Sequence, residues 1–410
     1  MKILHIVGGS SNNGAYKGAN ILHQALTELN VESKILNDNP TNSDRKDLEK
    51  KNINVFYIND NFLKKIINQF YVSIEKTLKS LYLKSPRSTF TIGILGFDIT
   101  KIKEYKDADI IHIHWLNQGF IKLKSLSKIK KPVVWTMRDM WPFTGGSHYT
   151  MDFKEYEESN LSKFLQKFKK KNYPQNVKFV AISDWLKKEA EKSNVLNNHN
   201  ITRIYNNIDI RDFNLITKDN ARSIVKISTK KKIILYGAHN PQNERKGWKV
   251  FVETLKKLDK SKYFLLIFGN FWSYEVLDQI GIEYKILGFI NDKKILNAVY
   301  SSSDIFVFSS IQEAFGKTWA EAMACEIPVV CFNNTSVSEV VDHKINGYIV
   351  EKINPDELKK GIDWMSAEVE KNNYSNSTSR TKIISFDAKN IARKYIKLYK
   401  ELLVSKSSNE

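Results

Sequence analysis

Short apolar runs recur along the chain at positions 3–7, 31–36, 55–58, 110–114, 133–137 and 179–182, each closed by polar or turn-forming residues. Runs of this length and branched-chain content predict buried strands. Segments compatible with helix lie between several of them, so the strands are expected to run parallel in an α/β sheet of Rossmann type. The pattern fades over 214–229, which is polar and reads as a linker. It restarts at Lys232, with runs at 233–236, 264–268, 284–287, 305–308 and 329–332. Two Rossmann-like domains are therefore expected, 1–212 and 213–387, followed by a helix within 388–410.

Two further segments keep a helical period with lysines on their other faces. In 61–87 the apolar positions are Phe62, Ile66, Phe70, Ile74, Leu78 and Leu81, and 161–173 is a second lysine-rich piece. Such a stripe either faces a core or lies on an anionic bilayer, and the sequence leaves both readings open.

Composition narrows the partners. The 410 residues include 64 basic against 45 acidic side chains, a formal charge of +19, and 42% are hydrophobic, enough to fill two cores. The surplus favours acidic partners, anionic headgroups and phosphorylated substrates among them. Nucleic acid is set aside, because the lysines are scattered rather than gathered with aromatics. No apolar run approaches the roughly 20 residues of a membrane span, and the first run is too short for a secretory signal. Cys325 and Cys331, without metal-type spacing, read as reduced thiols, which fits the cytoplasm.

Candidate chemistry concentrates in three stretches. The first, SSIQEAFGKTWAEAMACEIPVV at 309–330, reads as loop, helix and strand following a buried strand. Glu313 falls in the loop and Glu321 about one turn into the helix, with seven residues between them. Carboxylates accept from sugar hydroxyls, and amides at a helix N-terminus hold anionic oxygens, so the pair suits a ligand carrying both. Taken alone, Glu313 as a cap and Glu321 as a solvated helix residue would fit as well.

The second stretch, ADIIHIHWLNQGF followed by KPVVWTMRDMWPFTGGSHY, gathers His112, His114, Arg138, Asp139, Gly145, Gly146 and His148. An arginine cannot act as a base at neutral pH but can neutralise a departing phosphate. Asp139 is placed to orient Arg138, or simply to pair with it. The histidines lack a carboxylate at a telling spacing, so structural or acceptor-side roles are expected and no metal. The third stretch, YGAHNPQNERKGWKV, brings Arg245 and Lys246 after the first strand of the second domain, as a pyrophosphate contact or as a solvated turn. The early loop GGSSNNGAYKGAN lacks G-x-G-x-x-G spacing, which argues against a dinucleotide cofactor. Asp107-Ala108-Asp109 reads as a loop carboxylate pair.

Together these strings resemble the retaining GT-B glycosyltransferases of family four, particularly the bacterial polysaccharide and colanic-acid-type transferases, over nearly the whole chain. The resemblance implies two Rossmann-like domains facing across an interdomain cleft, with the last helix crossing back to the first. It implies a metal-independent, hexosyltransferase-type enzyme that needs no cofactor and takes a nucleotide-diphosphate sugar as donor. By the same resemblance Glu313 holds the transferred sugar, Glu321 the ribose hydroxyls, and Arg245 with Lys246 the diphosphate. Gly288, Phe289 and Ile290 read the base, and Ala314, Phe315, Gly316 and Lys317 offer backbone groups to sugar and phosphate. Gly14, His114, Gly145 and Gly146 fall on the acceptor side, while Arg138, Asp139, Glu313 and Lys246 make up the catalytic set.

The implied acceptor is a glycan or lipid-linked saccharide in surface polysaccharide assembly, met in the cytoplasm or at the inner face of the cytoplasmic membrane. An anionic membrane surface is thus a further candidate partner. An epimerase-like or catalytically silent nucleotide-sugar binder is the alternative. The chain departs from the family in several places, one of them Ala238, where an arginine commonly follows the strand-ending glycine. Arg138 stands where a histidine is usual and Ser147 where a cysteine is frequent. Tyr205 and Asn207 replace a proline and a glycine, with asparagine expected to supply a left-handed turn, and Glu326 replaces a glycine.

Overall fold

The computed structural model describes residues 1–10, 13–38, 55–58, 62–82, 89–116, 118–273, 275–371, 374 and 376–407. The chain divides into two compact units, one of Met1–Asn207 with Ala388–Glu410 and the other of Ile208–Asp387.

Among the described residues the first unit is built on a seven-stranded sheet in the order β3-β2-β1-β4-β5-β6-β7. The strands are β1 Lys2–Val7, β2 Glu32–Asn37, β3 Val55–Tyr57, β4 Ile110–Trp115, β5 Val133–Met137, β6 Val177–Ala181 and β7 Thr202–Arg203. Every neighbouring pair is parallel. Six of the seven follow the apolar runs; β7, two residues long, is too short to show a pattern. The order turns back between β1 and β4, and the crevice at the carboxyl ends of strands at such a reversal is where these sheets take ligands.

The helices of this unit are α1 Gly14–Glu28, α2 Phe62–Tyr82, α3 Lys103–Asp107, α4 Lys154–Glu157, α5 Asn160–Asn172 and α6 Asp184–Lys192. Asn13 caps α1, its side chain accepting from the Ala15 amide, and Ala19, Leu22 and Leu26 are buried beneath it. The amphipathic stripe of 61–87 divides in two, positions 61 and 83–87 lying outside the described residues. Leu78 packs on the Phe90, Ile92 and Leu165 cluster. Phe62, Leu63, Ile66 and Phe70 face outward at 78%, 66%, 46% and 61% exposure, so the core-facing reading fails for the first half of α2. Among the described residues no helix is long and apolar enough to cross a membrane.

Among the described residues the second unit carries a six-stranded sheet in the order β10-β9-β8-β11-β12-β13. Its strands are β8 Lys232–Gly237, β9 Tyr263–Phe268, β10 Glu283–Ile286, β11 Ile305–Phe308, β12 Val329–Phe332 and β13 Gly347–Val350, again all parallel. The reversal here falls between β8 and β11. The helices are α7 Lys218–Ile224, α8 Trp248–Lys257, α9 Glu275–Ile280, α10 Lys293–Ser301, α11 Lys317–Ala324, α12 Pro355–Glu370 and α13 Asn376–Ile384. Apolar side chains of β8, β9, β11 and β12 share one core with α8 and α12.

Three expectations change. The unit boundary lies at Asn207/Ile208 rather than after 212, because the Ile208 amide donates to the Phe386 carbonyl at 3.1 Å and Asp212 lies 3.6 Å from Lys293. The stretch 214–229 is no simple linker, since it holds α7. Lys218 and Arg222, one turn apart, both reach the buried Asp304 carboxylate at 2.5 and 3.0 Å. Seven residues of helix are too few to print a period on the sequence. Asn206 and Asn207 are not left-handed either; both act through their side chains, as described below.

Glu326, by contrast, does adopt φ 60° directly after α11, its amide donating to the Met323 carbonyl. A glycine would take that helix-ending position without strain. The last helix, α14 Ala388–Ser407, belongs to the first unit, where Ile391, Ala392, Tyr395 and Tyr399 share a core with Ile3, Leu22 and Ile110.

Candidate active site

In the second unit the chain after β8 forms a tight turn over Glu244–Lys246, capped by the Asn243 side chain and closed by Gly247 at φ 72°. A Cβ at Gly247 would fall 1.9 Å from the Ser309 carbonyl oxygen, so only glycine lets this turn press against the end of β11. Hydrogen bonds lock the approach. The Ile311 amide donates to the Arg245 carbonyl at 2.7 Å, and the Ser309 and Tyr236 hydroxyls donate to the Lys246 carbonyl at 2.9 and 3.2 Å.

With the backbone held there, both cations aim at one carboxylate. Arg245 Nη1 lies 3.0 Å from Glu313 Oε2, and Lys246 Nζ bonds the same oxygen. All three side chains are largely buried, at 18%, 14% and 8% exposure. Two cationic side chains thus converge on one carboxylate oxygen. Beyond Glu313, Ala314 and Phe315 are buried and Gly316, which has no side chain to cap with, opens α11. Helix amides without a side-chain cap are disposed to hold anionic oxygens.

Glu321 sits in the second turn of α11 and makes its contacts to α10. Tyr300 donates to its Oε2 at 2.8 Å and Lys293 lies 4.0 Å from Oε1. Burial and the neighbouring carboxylate push the Tyr300 phenol well above its usual range, so it remains a donor. The geometry thus joins Glu313, Arg245 and Lys246 directly, with Glu321 fixed beside them in sequence by separate partners. Gly288, Phe289 and Ile290 follow β10, and the half-exposed Phe289 ring meets His239 edge-on at 5.2 Å.

In the first unit the predicted partnership of Arg138 with Asp139 is not formed. Asp139 accepts from the Trp115 indole at 2.8 Å, His148 Nδ1 at 2.7 Å and the Trp141 amide at 3.0 Å. It therefore organises the loop after β5 rather than the arginine. Arg138 Nη1 donates to Asn206 Oδ1 at 2.5 Å and Nη2 to His114 Nδ1 at 3.0 Å. Burial draws its pKa down to about 10, which keeps it charged at neutral pH. Asn207 donates to the Gly18 carbonyl at 2.9 Å, and a Cβ on Gly18 would stand 2.6 Å from Arg138 Nη1.

The remaining acceptor-side residues divide. Gly14 begins α1, with nothing within 4 Å of a Cβ placed on it. Gly145 is packed against α5, where a Cβ would meet Ser162 Oγ at 2.0 Å, and Gly146 against the Phe90 ring, so these two glycines are demanded by packing. The buried Lys169 fastens the same loop by donating to the Trp141 and Thr144 carbonyls. His114 is wholly internal, with His5 Nδ1 at 2.8 Å from its Nε2.

His5, His112 and His114 come close enough together to be tested as a metal site. Five of the six ring nitrogens are already engaged: His112 lies between Tyr399 and Thr136 at 2.6 and 2.7 Å, and His114 between His5 and Arg138, which leaves only His5 Nε2 without a partner among the described residues. Burial holds all three rings well below the usual histidine range, and the Arg138 charge adds to the effect. A cation beside that guanidinium would be repelled, so the cluster fits a neutral hydrogen-bond chain better than a metal. Sequence reading missed His5, Gly18, Asn206 as an acceptor, Tyr395 and Tyr399. The available signal was a histidine inside an otherwise apolar strand run.

Comparison with known proteins follows the same division. Residues 21–212 match the family Glycosyltransferase Family 4, and residues 217–382 match Glycosyl transferases group 1. An uncharacterized glycosyltransferase of Methanocaldococcus jannaschii is 26% identical over 321 residues, covering 75% of this chain and 77% of the relative. An O-antigen chain mannosyltransferase of Escherichia coli is 33% identical over 113 residues, 26% of this chain and 29% of its own. Among solved structures, HepE of Anabaena in complex with UDP and glucose superposes with TM-score 0.68 at 15% identity, covering 97% of this chain and 99% of its own. Sucrose-phosphate synthase of Thermosynechococcus elongatus does so with TM-score 0.71 at 16% identity, covering 98% and 99%.

Proposed function

This chain belongs to the GT-B glycosyltransferases, and on that premise we propose that it moves a hexosyl group from a nucleotide-diphosphate sugar to a hydroxyl of a glycan or lipid-linked saccharide, keeping the anomeric configuration and using no metal. The convergence of Arg245 and Lys246 on Glu313 carries this reading. The paired cations are suited to a diphosphate, and the carboxylate to the hydroxyls of the sugar it bears.

In the reaction the bond from the anomeric carbon to the diphosphate oxygen breaks as the acceptor oxygen bonds the same face. The departing oxygen takes the acceptor's proton. Lys246 and Arg245, with the α11 amides, offset charge as it grows on the leaving group, and Glu313 holds the sugar in place. Glu321, oriented by Tyr300, accepts from the ribose hydroxyls. That HepE binds UDP-glucose makes UDP-sugars the first donors to try.

A membrane-borne acceptor is supported by two helices of the first unit. The exposed Phe62, Leu63, Ile66 and Phe70 of α2 lie among Lys64 and Lys65. The exposed Phe164 of α5 lies among Lys163, Lys167, Lys170 and Lys171. Apolar rings set among lysines suit an anionic bilayer surface.

The reading is tested by offering nucleotide sugars with lipid-linked saccharides and assigning the product anomer by NMR, with and without chelator. Transfer with retention, indifferent to chelator, is expected. Donor consumption that gives only free sugar or an epimer, whatever the acceptor, would refute it. Flotation with vesicles should require anionic lipid, and equal failure with neutral and anionic vesicles would remove the membrane component.

A further inference from the structure

Among the described residues, the first unit holds a buried cation that no carboxylate pairs. Arg138 is 9% exposed at the end of β5, and its two hydrogen-bond partners, Asn206 and His114, are both uncharged. Its Nε has no hydrogen-bond partner among the described residues, and the adjacent Asp139 is spent on Trp115, His148 and the Trp141 amide. Burying an uncompensated charge is costly, and strongly perturbed buried groups gather at functional sites.

The neutrality of the surroundings is built in. Because Arg138 donates to His114 Nδ1, the His114 proton must sit on Nε2, from which it is donated to His5 Nδ1. A protonated His114 could not accept from Arg138, and burial keeps both rings neutral. Gly18 supplies the space the guanidinium occupies. Arg138 and His114 stand towards the carboxyl ends of β5 and β4, beside the reversal in strand order where an α/β sheet receives ligands.

We propose that His114 and Asn206 are positioning residues that present the Arg138 guanidinium, with its charge uncompensated, to a phosphoryl group of a bound substrate. The inference rests on the transferase reading, in which donor and acceptor are both candidate sources of that phosphate.

The test uses the full chain with 15N-labelled histidine, titrated at constant ionic strength with UDP, inorganic pyrophosphate or a water-soluble alkyl phosphate. The His114 ring nitrogens are expected to shift saturably with at least one probe, and the response to vanish in Arg138→Gln. A response to UDP or pyrophosphate alone assigns the donor as source, and a response to the alkyl phosphate assigns the acceptor. His114→Asn, whose side-chain oxygen still accepts, should keep the affinity within a few-fold, with His5 as reporter. His114→Asp sets a carboxylate against the guanidinium and should weaken binding by about ten- to a hundredfold, the scale of a hydrogen bond to a charged group, without lowering the melting temperature. Asn206→Asp makes the same change from the other side should His114→Asp fail to fold. The proposal is overturned if no probe moves His114, or if the aspartate variants bind as tightly as the parent. UDP binding that still depends on Lys246 would then leave the transferase reading intact.

Discussion

The two units treat internal charge in opposite ways. The second pairs it: Asp304 with Lys218 and Arg222, and Glu313 with Arg245 and Lys246. The first pairs Asp98 with Lys122 and Lys128 but elsewhere neutralises it: four buried histidines lose their charge, and the buried Glu75 and Lys169 are both drawn to about 7 by burial. The contrast teaches that similar sheets can be tuned for different ligands. On the proposed function, the paired charge would exchange partners with an incoming diphosphate, whereas the neutral interior keeps one guanidinium unquenched.

The sharpest way to break this comparison is at the paired side. Lys246→Ala or Glu313→Gln should lower transfer by about 10²–10³-fold, the usual cost of removing a group that stabilises developing charge, with little change in circular dichroism. Near-parental turnover would reduce the cluster to scaffolding. Next in size, Asp304→Asn strands two cations and takes an acceptor from the Ile233 amide. A loss of about 2–3 kcal/mol in urea unfolding is expected, moderated because Lys218 is partly exposed.

The neutral side should answer to pH. The Glu75 carboxyl accepts from the Ile92 and Gly93 amides, yet burial lifts its pKa from 4.5 to about 7. Its folded value lies above its unfolded one, so its contribution is complete below 4.5 and lost as pH rises through about 7. Stability measured at pH 5 and pH 8 should differ through this group by on the order of 2 kcal/mol, and Glu75→Gln should flatten that step. Lys169 works in the window above: its pKa falls from 10.5 to about 7, so its contribution grows as pH rises from 7 towards 10.5. The smallest effect belongs to a position outside both arrangements. Glu326→Gly relieves a left-handed residue and should raise stability by up to about 1 kcal/mol without altering turnover.

Much of the architecture was legible because parallel strands covered on both faces print as uninterrupted apolar runs. The spacing of Glu313 and Glu321 was equally plain, since loop and helix are contiguous in sequence. Contacts made through folding were not. The Arg138 partners come from β4 and from the segment after β7, 24 and 68 residues away, so neighbouring Asp139 looked the natural companion. α7 hid in a polar stretch because its anchor, Asp304, lies more than 80 residues on. The outward turn of Phe62 and Phe70 could not be read either, because an amphipathic period gives the width of a stripe and not what it faces.

The excursion of the chain from Ile208 to Asp387 makes the second unit an insertion, its two ends joined by the Ile208–Asp387 bridge. During synthesis on a ribosome, the inserted body can be finished while the earlier sheet still waits for Tyr395 and Tyr399 to reach Thr136 and His112. A premature stop near 387 would therefore spare the later-made body and injure the earlier one.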